Sequence, residues 1–82
     1  MSRIRGIELN GESGYAWINR NINEAGNPEL YVGEKYDRGR LLKIKKEMLD
    51  ESSILFYDLI FENSIVRFGS ENVNKIIEGE IK

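Results

Sequence analysis

The chain has no cysteine, no histidine and only one proline, Pro28. Without cysteine there is no disulfide, and a secreted domain of this size usually depends on several. The expected setting is therefore the reducing cytoplasm. Without histidine or cysteine the Ser-His and Cys-His nucleophile pairs are excluded. Zinc, copper and haem lose their usual ligands, which leaves only hard cations held by oxygen. No remaining side chain has an ordinary pKa near neutrality for proton transfer. The chain is accordingly expected to be no enzyme, with no cofactor and no metal site.

Other absences narrow the class further. No apolar run approaches the ~18 residues of a membrane span. The segment Met1 to Gly6 carries charge with no apolar stretch behind it, so no signal peptide is expected. There is no internal repeat or heptad series. The glycines between Gly33 and Gly39 match neither the phosphate-loop nor the dinucleotide-binding pattern, both of which need closer glycines between strand and helix.

What is present is an ordinary globular balance: 82 residues, 40% hydrophobic and 32% charged, read as one compact domain over 1–82. A domain this small buries roughly 60–65% of the surface its unfolded chain exposes. So thin a core makes a homo-oligomer a natural way to bury more.

Along the chain, Arg3 to Leu9 and Tyr15 to Arg20 read as a hairpin. A five-residue loop would pair Leu9 with Tyr15 and Ile7 with Trp17, giving one apolar face. Asn21 to Glu29 is the clearest loop, with three asparagines, Gly26 and Pro28. Leu30 to Gly33 is a short strand. Arg40 to Leu49 is built almost wholly from helix formers and predicts the main helix, over about 38–50. Ser53 to Phe61 and Ser64 to Phe68 read as a second hairpin turning at Glu62-Asn63, with a buried helix over 52–61 as the alternative for so continuous an apolar run. Val73, Ile76 and Ile77 fall at helical spacing and predict a short C-terminal helix; the alternative is a last strand from Lys75 to Ile81, where Ile77, Gly79 and Ile81 alternate with charged neighbours. The fold class that follows is α+β, a small mostly antiparallel sheet with one main helix. The alternative is a small all-β barrel. In that case Leu42, Ile44 and Lys46 share one face of a strand, and Leu41, Lys43 and Lys45 the other.

Charge is distributed unevenly. Residues 35–46 hold Lys35, Arg38, Arg40, Lys43, Lys45 and Lys46 against Asp37 alone, a local net of +5, while the other 70 residues net −7. The basic segment points to anion binding, with Arg38 and Arg40 gripping a phosphate and Lys43 and Lys45 adding charge. Tyr36 is the aromatic beside that ligand. On a helix Lys45 would lie inside an apolar stripe, a position that requires a partner or a pocket. The bland alternative is a solvated helix face, with Lys43–Glu47 and Lys46–Asp50 paired at i,i+4. Tyr15, Trp17 and Tyr31 are candidates for a protein interface, or else core residues of the first sheet. Asp50 and Glu51 have no EF-hand spacing around them. Asp58, inside an apolar run, needs a partner, and Arg67 on the following strand is within cross-strand reach.

These features lead first to a non-catalytic protein-binding module: a small inhibitor, an immunity-type protein, or a phage or mobile-element accessory protein that occludes a partner. Its net acidic surface would meet a basic one. The alternative is a protein that sequesters a nucleotide or other phosphorylated small molecule through residues 35–46. A net charge of −2 argues against duplex nucleic acid as a partner.

Overall fold

The computed structural model describes residues 3–11, 22–48 and 55–79. Among these residues seven strands follow in order: β1 (Arg3–Leu9), β2 (Glu29–Tyr31), β3 (Lys35–Tyr36), β4 (Gly39–Met48), β5 (Leu55–Phe61), β6 (Ile65–Gly69) and β7 (Val73–Gly79). A three-residue 3-10 turn, Ser70–Asn72, links β6 to β7. There is no α-helix among the described residues, so the expected α+β class is overturned and the alternative small β fold is the one observed. No helix among them is long and apolar enough to cross a membrane.

The strands form two antiparallel ladders, β2-β1-β7 and β3-β4-β5-β6. Consecutive residues at the corner join them. The Val32 N–H donates to the Arg5 carbonyl of β1, and the Gly33 N–H donates to the Leu41 carbonyl of β4. Two adjacent amides thus bond to different ladders, and the sheet curls there. The 3-10 turn carries the chain back at the other side.

The expected main helix is instead the longest strand. β4 runs against β5 from Leu41 to Met48. Helix propensity separates Leu, Lys, Ile and Glu by only tenths of a kcal/mol per residue, and a full ladder outweighs it. The face assignment also changes. Leu41 and Ile44 are both buried although three apart, while Leu42 is exposed. Strict alternation forbids that, and a register shift between Leu41 and Lys43 resolves it: Leu42 is the extra residue of a bulge.

The second hairpin stands as expected. Phe61 donates its N–H to the Ser64 carbonyl across the turn at Glu62-Asn63. The C-terminal helix does not form: Val73–Gly79 is a strand against β1. Its apolar residues suit either period in so short a stretch, and pairing with β1 selects the strand.

The first hairpin is also corrected at β1. Ile7 pairs with Leu30 on one side and with Ile76 on the other, so both its edges are taken. Leu9 faces Val73 and donates its N–H to the Pro28 carbonyl. The partners expected for them, Tyr15 and Trp17, lie outside the described residues, as do Asp50 and Glu51.

One core fills the curl: Ile7, Leu9 and Leu30 from the first ladder against Leu41, Ile44, Tyr57, Leu59, Phe61 and Phe68 from the second. Tyr36 joins them, edge-on to Phe61 with ring centres 6.3 Å apart, and its hydroxyl accepts the Tyr31 N–H. Gly39 has φ +92°, where a side chain would be strained, and a Cβ there would lie 3.1 Å from Glu62. It lets the β3–β4 turn pack against the β5–β6 turn.

Candidate functional site

Residues opposite one another in an antiparallel ladder point to the same face. On the outer face of β4-β5-β6 this gives three rows: Lys43–Ile60–Ile65, Lys45–Asp58–Arg67, and Glu47–Phe56–Gly69. The inner face holds Ile44, Leu59 and Phe68.

The middle row is closed on itself. Arg67 grips Asp58 with two hydrogen bonds, 2.8 Å from Nε and 3.1 Å from a terminal nitrogen. The guanidinium lies 4.0 Å above the Phe56 ring. That pairing is the one expected from the sequence. The Arg67 hydrogen bond holds the Asp58 carboxyl below the ordinary carboxylate range, against the opposing effect of burial. Glu47 shares a hydrogen bond with Asp58 and is pushed up by it, with burial acting in the same direction. Two carboxyls driven apart can serve acid–base chemistry when they line a cleft. Here Arg67 is committed to Asp58 and lies over the Phe56 ring, and neither carboxyl is among the residues that line the cleft.

The outer row behaves differently. Ile65 is 65% exposed and Leu42, on its bulge beside Lys43, is 51% exposed. Next to them opens a cleft of about 560 Å³, lined by Arg3, Ile4, Val32, Leu42, Lys43 and Ile44. Register shifts flank it on both strands, at Arg5 in β1 and at Leu42 in β4. Bulges re-aim side chains in this way and are common beside binding sites. Among the described residues that line the cleft, Arg3 and Lys43 are the charged ones, and both are cations. Neither makes an ion pair or hydrogen bond to any described residue.

The basic segment does not converge on one ligand position. Arg38 donates to the Ser64 hydroxyl at 3.0 Å, and Arg40 donates to the Gly33 carbonyl. Lys45 stands opposite Asp58 in the ladder, and the helical apolar stripe that singled it out does not exist. Lys35 and Lys46 are exposed on other parts of the surface. Only Lys43 lines the cleft. Tyr36 is 3% exposed, a core residue beneath the surface. Strand alternation accounts for the dispersal, because it sends successive bases to opposite faces.

Tyr31 is half-buried on the outer face of the first ladder, donating its hydroxyl to Glu29 at 2.7 Å, with the Arg5 guanidinium 5.5 Å from its ring centre. Tyr15 and Trp17 are outside the described residues. Among the described residues no cluster of acids could hold a metal ion.

Arg3, Ile4 and Val32 had no signal in the sequence. They reach the cleft only because β1 and the β2–β3 corner fold over β4. Leu42 could be found only by knowing where the bulge falls. Compared with protein-family models, curated proteins and solved structures, the chain matches none.

Proposed function

We propose that this protein is a non-catalytic binding module that covers a surface of a partner protein. The observation that carries the reading is one continuous surface: the cleft, then Leu42 and Lys43, then Ile60 and the exposed Ile65 across the ladder. An aliphatic strip edged by cations that lack partners among the described residues is unusual beside a row whose arginine and aspartate are paired. The lack of histidine and cysteine supports a role without chemistry, as does the engagement of Asp58 by Arg67.

The exposed apolar residues stand beside lysine and arginine, not beside the acids. The partner surface they suit is therefore acidic, although the chain's overall charge of −2 suggests the opposite. Local charge at the contact governs complementarity, and screening over about 8–10 Å mutes the rest.

The test uses the full chain as bait in extracts of its source cells. A stoichiometric partner should be retained by the wild type and released when Ile65→Asp places a charge in the strip. No partner on the wild-type bait, or equal retention by the variant, removes the reading. Circular dichroism should match in the two chains, since Ile65 is exposed.

A further inference from the structure

We propose that the cleft and the strip beside it hold an extended acidic segment of the partner, with aliphatic side chains interleaved among carboxylates. The inference rests on the binding-module reading and adds the chemistry of what is bound.

The lining carries the argument. Among the described residues that line the cleft, Ile4, Val32, Leu42 and Ile44 are aliphatic and none is aromatic. A nucleobase is held best by an aromatic face, so this floor suits a Leu, Ile or Val side chain better than a nucleotide. Arg3 and Lys43 supply positive charge at that floor and make no contact with a described acid. An anion arriving there displaces no partner among the described residues.

The strip argues for a peptide over a small amphiphile. Lys43, Ile60 and Ile65 sit opposite one another on three successive strands, β4, β5 and β6. Two strand spacings make about 10 Å, and each residue of an extended chain covers about 3.3 Å. The cleft begins on the far side of Lys43. An extended chain crossing the strands would set one aliphatic side chain in the cleft and another, four residues on and on the same side, against Ile60 and Ile65. Acids between and beside them would meet Arg3, Lys43 and Lys45. A short alkyl carboxylate could fill the cleft alone and would leave Ile65 uncovered.

The experiment measures fluorescence anisotropy of a labelled probe, Glu-Leu-Glu-Asp-Glu-Leu-Glu, with the full chain. Saturable binding is expected, weakening with added salt. Lys43→Glu should reduce affinity at least about tenfold, equivalent to about 1.4 kcal/mol. The probe with lysine in place of every acid should then bind the variant better than the wild type. On the wild type, amide shift changes should gather at Ile4, Val32, Leu42 and Ile65, a readout that does not depend on the variant folding. Equal binding of acidic and basic probes overturns the proposal. So does an acidic probe that never binds while octanoate or adenosine monophosphate shifts the cleft amides. If the probe fails but a partner is still released by Ile65→Asp, only the peptide assignment falls. If that variant releases nothing, the module reading falls as well.

Discussion

On the outer face of β2-β1-β7 the Tyr31 ring lies across Gly6, and Arg5 stacks on Tyr31. Beside it Asn23 bonds the carboxylates of both Glu8 and Glu29, at 3.0 and 2.8 Å, while Asn27 and Asn74 also donate to Glu8. Two acids directly opposite in a ladder would repel. Here the asparagines and Tyr31 occupy their lone pairs, and the Glu29 carboxyl is held low chiefly by Asn23. On the outer face of β4-β5-β6 only the Asp58–Arg67 row is closed in this way, and the Lys43–Ile60–Ile65 row ends in exposed aliphatic surface. Among the described residues the first face satisfies its own polar groups, and the second keeps an aliphatic row exposed. That difference directs the functional reading to the second ladder.

The largest test removes what the two faces share. Phe68 is fully buried in the common core. Phe68→Ala should cost about 3–5 kcal/mol, measured by urea unfolding, and both ladders should lose amide protection together. Loss confined to one ladder would show that they are separate units.

Next comes the self-covered face. A Cβ on Gly6 would lie 2.8 Å from the Tyr31 ring and 3.0 Å from the Leu30 carbonyl. Gly6→Ala should destabilise by about 1–3 kcal/mol, and displacement of the ring should be visible as a changed Tyr31 ring shift. A neutral substitution would mean that Tyr31 does not cover the face.

The finest test compares two cations on one face. Arg67→Ala strands the Asp58 carboxylate and should clearly lower the unfolding free energy measured in urea, whereas Lys43→Ala should change it by no more than about 0.5 kcal/mol. The pH dependence follows from Asp58. Its folded carboxyl titrates below the ordinary value of 3.8, so its contribution is complete above that value. It is lost as pH falls through the folded pKa. Glu47 runs the other way: its raised carboxyl contributes fully below 4.5 and loses that contribution as pH rises through the folded value. Arg67→Ala should therefore flatten the acid limb of a stability profile, and Lys43→Ala should not.

Much of the fold was legible, unevenly. The hairpin around Glu62-Asn63 was readable because its strands are adjacent in sequence and its turn is short. The Asp58–Arg67 pair followed from that register alone. The 39–48 segment was misread because good helix formers carry a preference of only tenths of a kcal/mol, and its ladder depends on residues further along the chain. The partners of β1 were misread for the opposite reason. A nearby strand-like run looked sufficient, but both edges of Ile7 are taken by Leu30 and Ile76, which are 23 and 69 residues away in sequence. The candidate site was the least legible, with Lys43 its only residue among those singled out beforehand.

By itself the sequence determined that no histidine or cysteine side chain is available to any site in this chain, since folding cannot supply a missing residue. It also determined the local hairpin that sets Asp58 against Arg67, because a two-residue turn dictates register. Tertiary structure decided that the basic segment is a strand, that its bases disperse, and that Leu42 stands outward. It also brought Arg3 to Lys43 across an aliphatic floor. Pairing between distant strands and the phase shift of a bulge are set by the whole curl of the sheet, and no local pattern of residues encodes either.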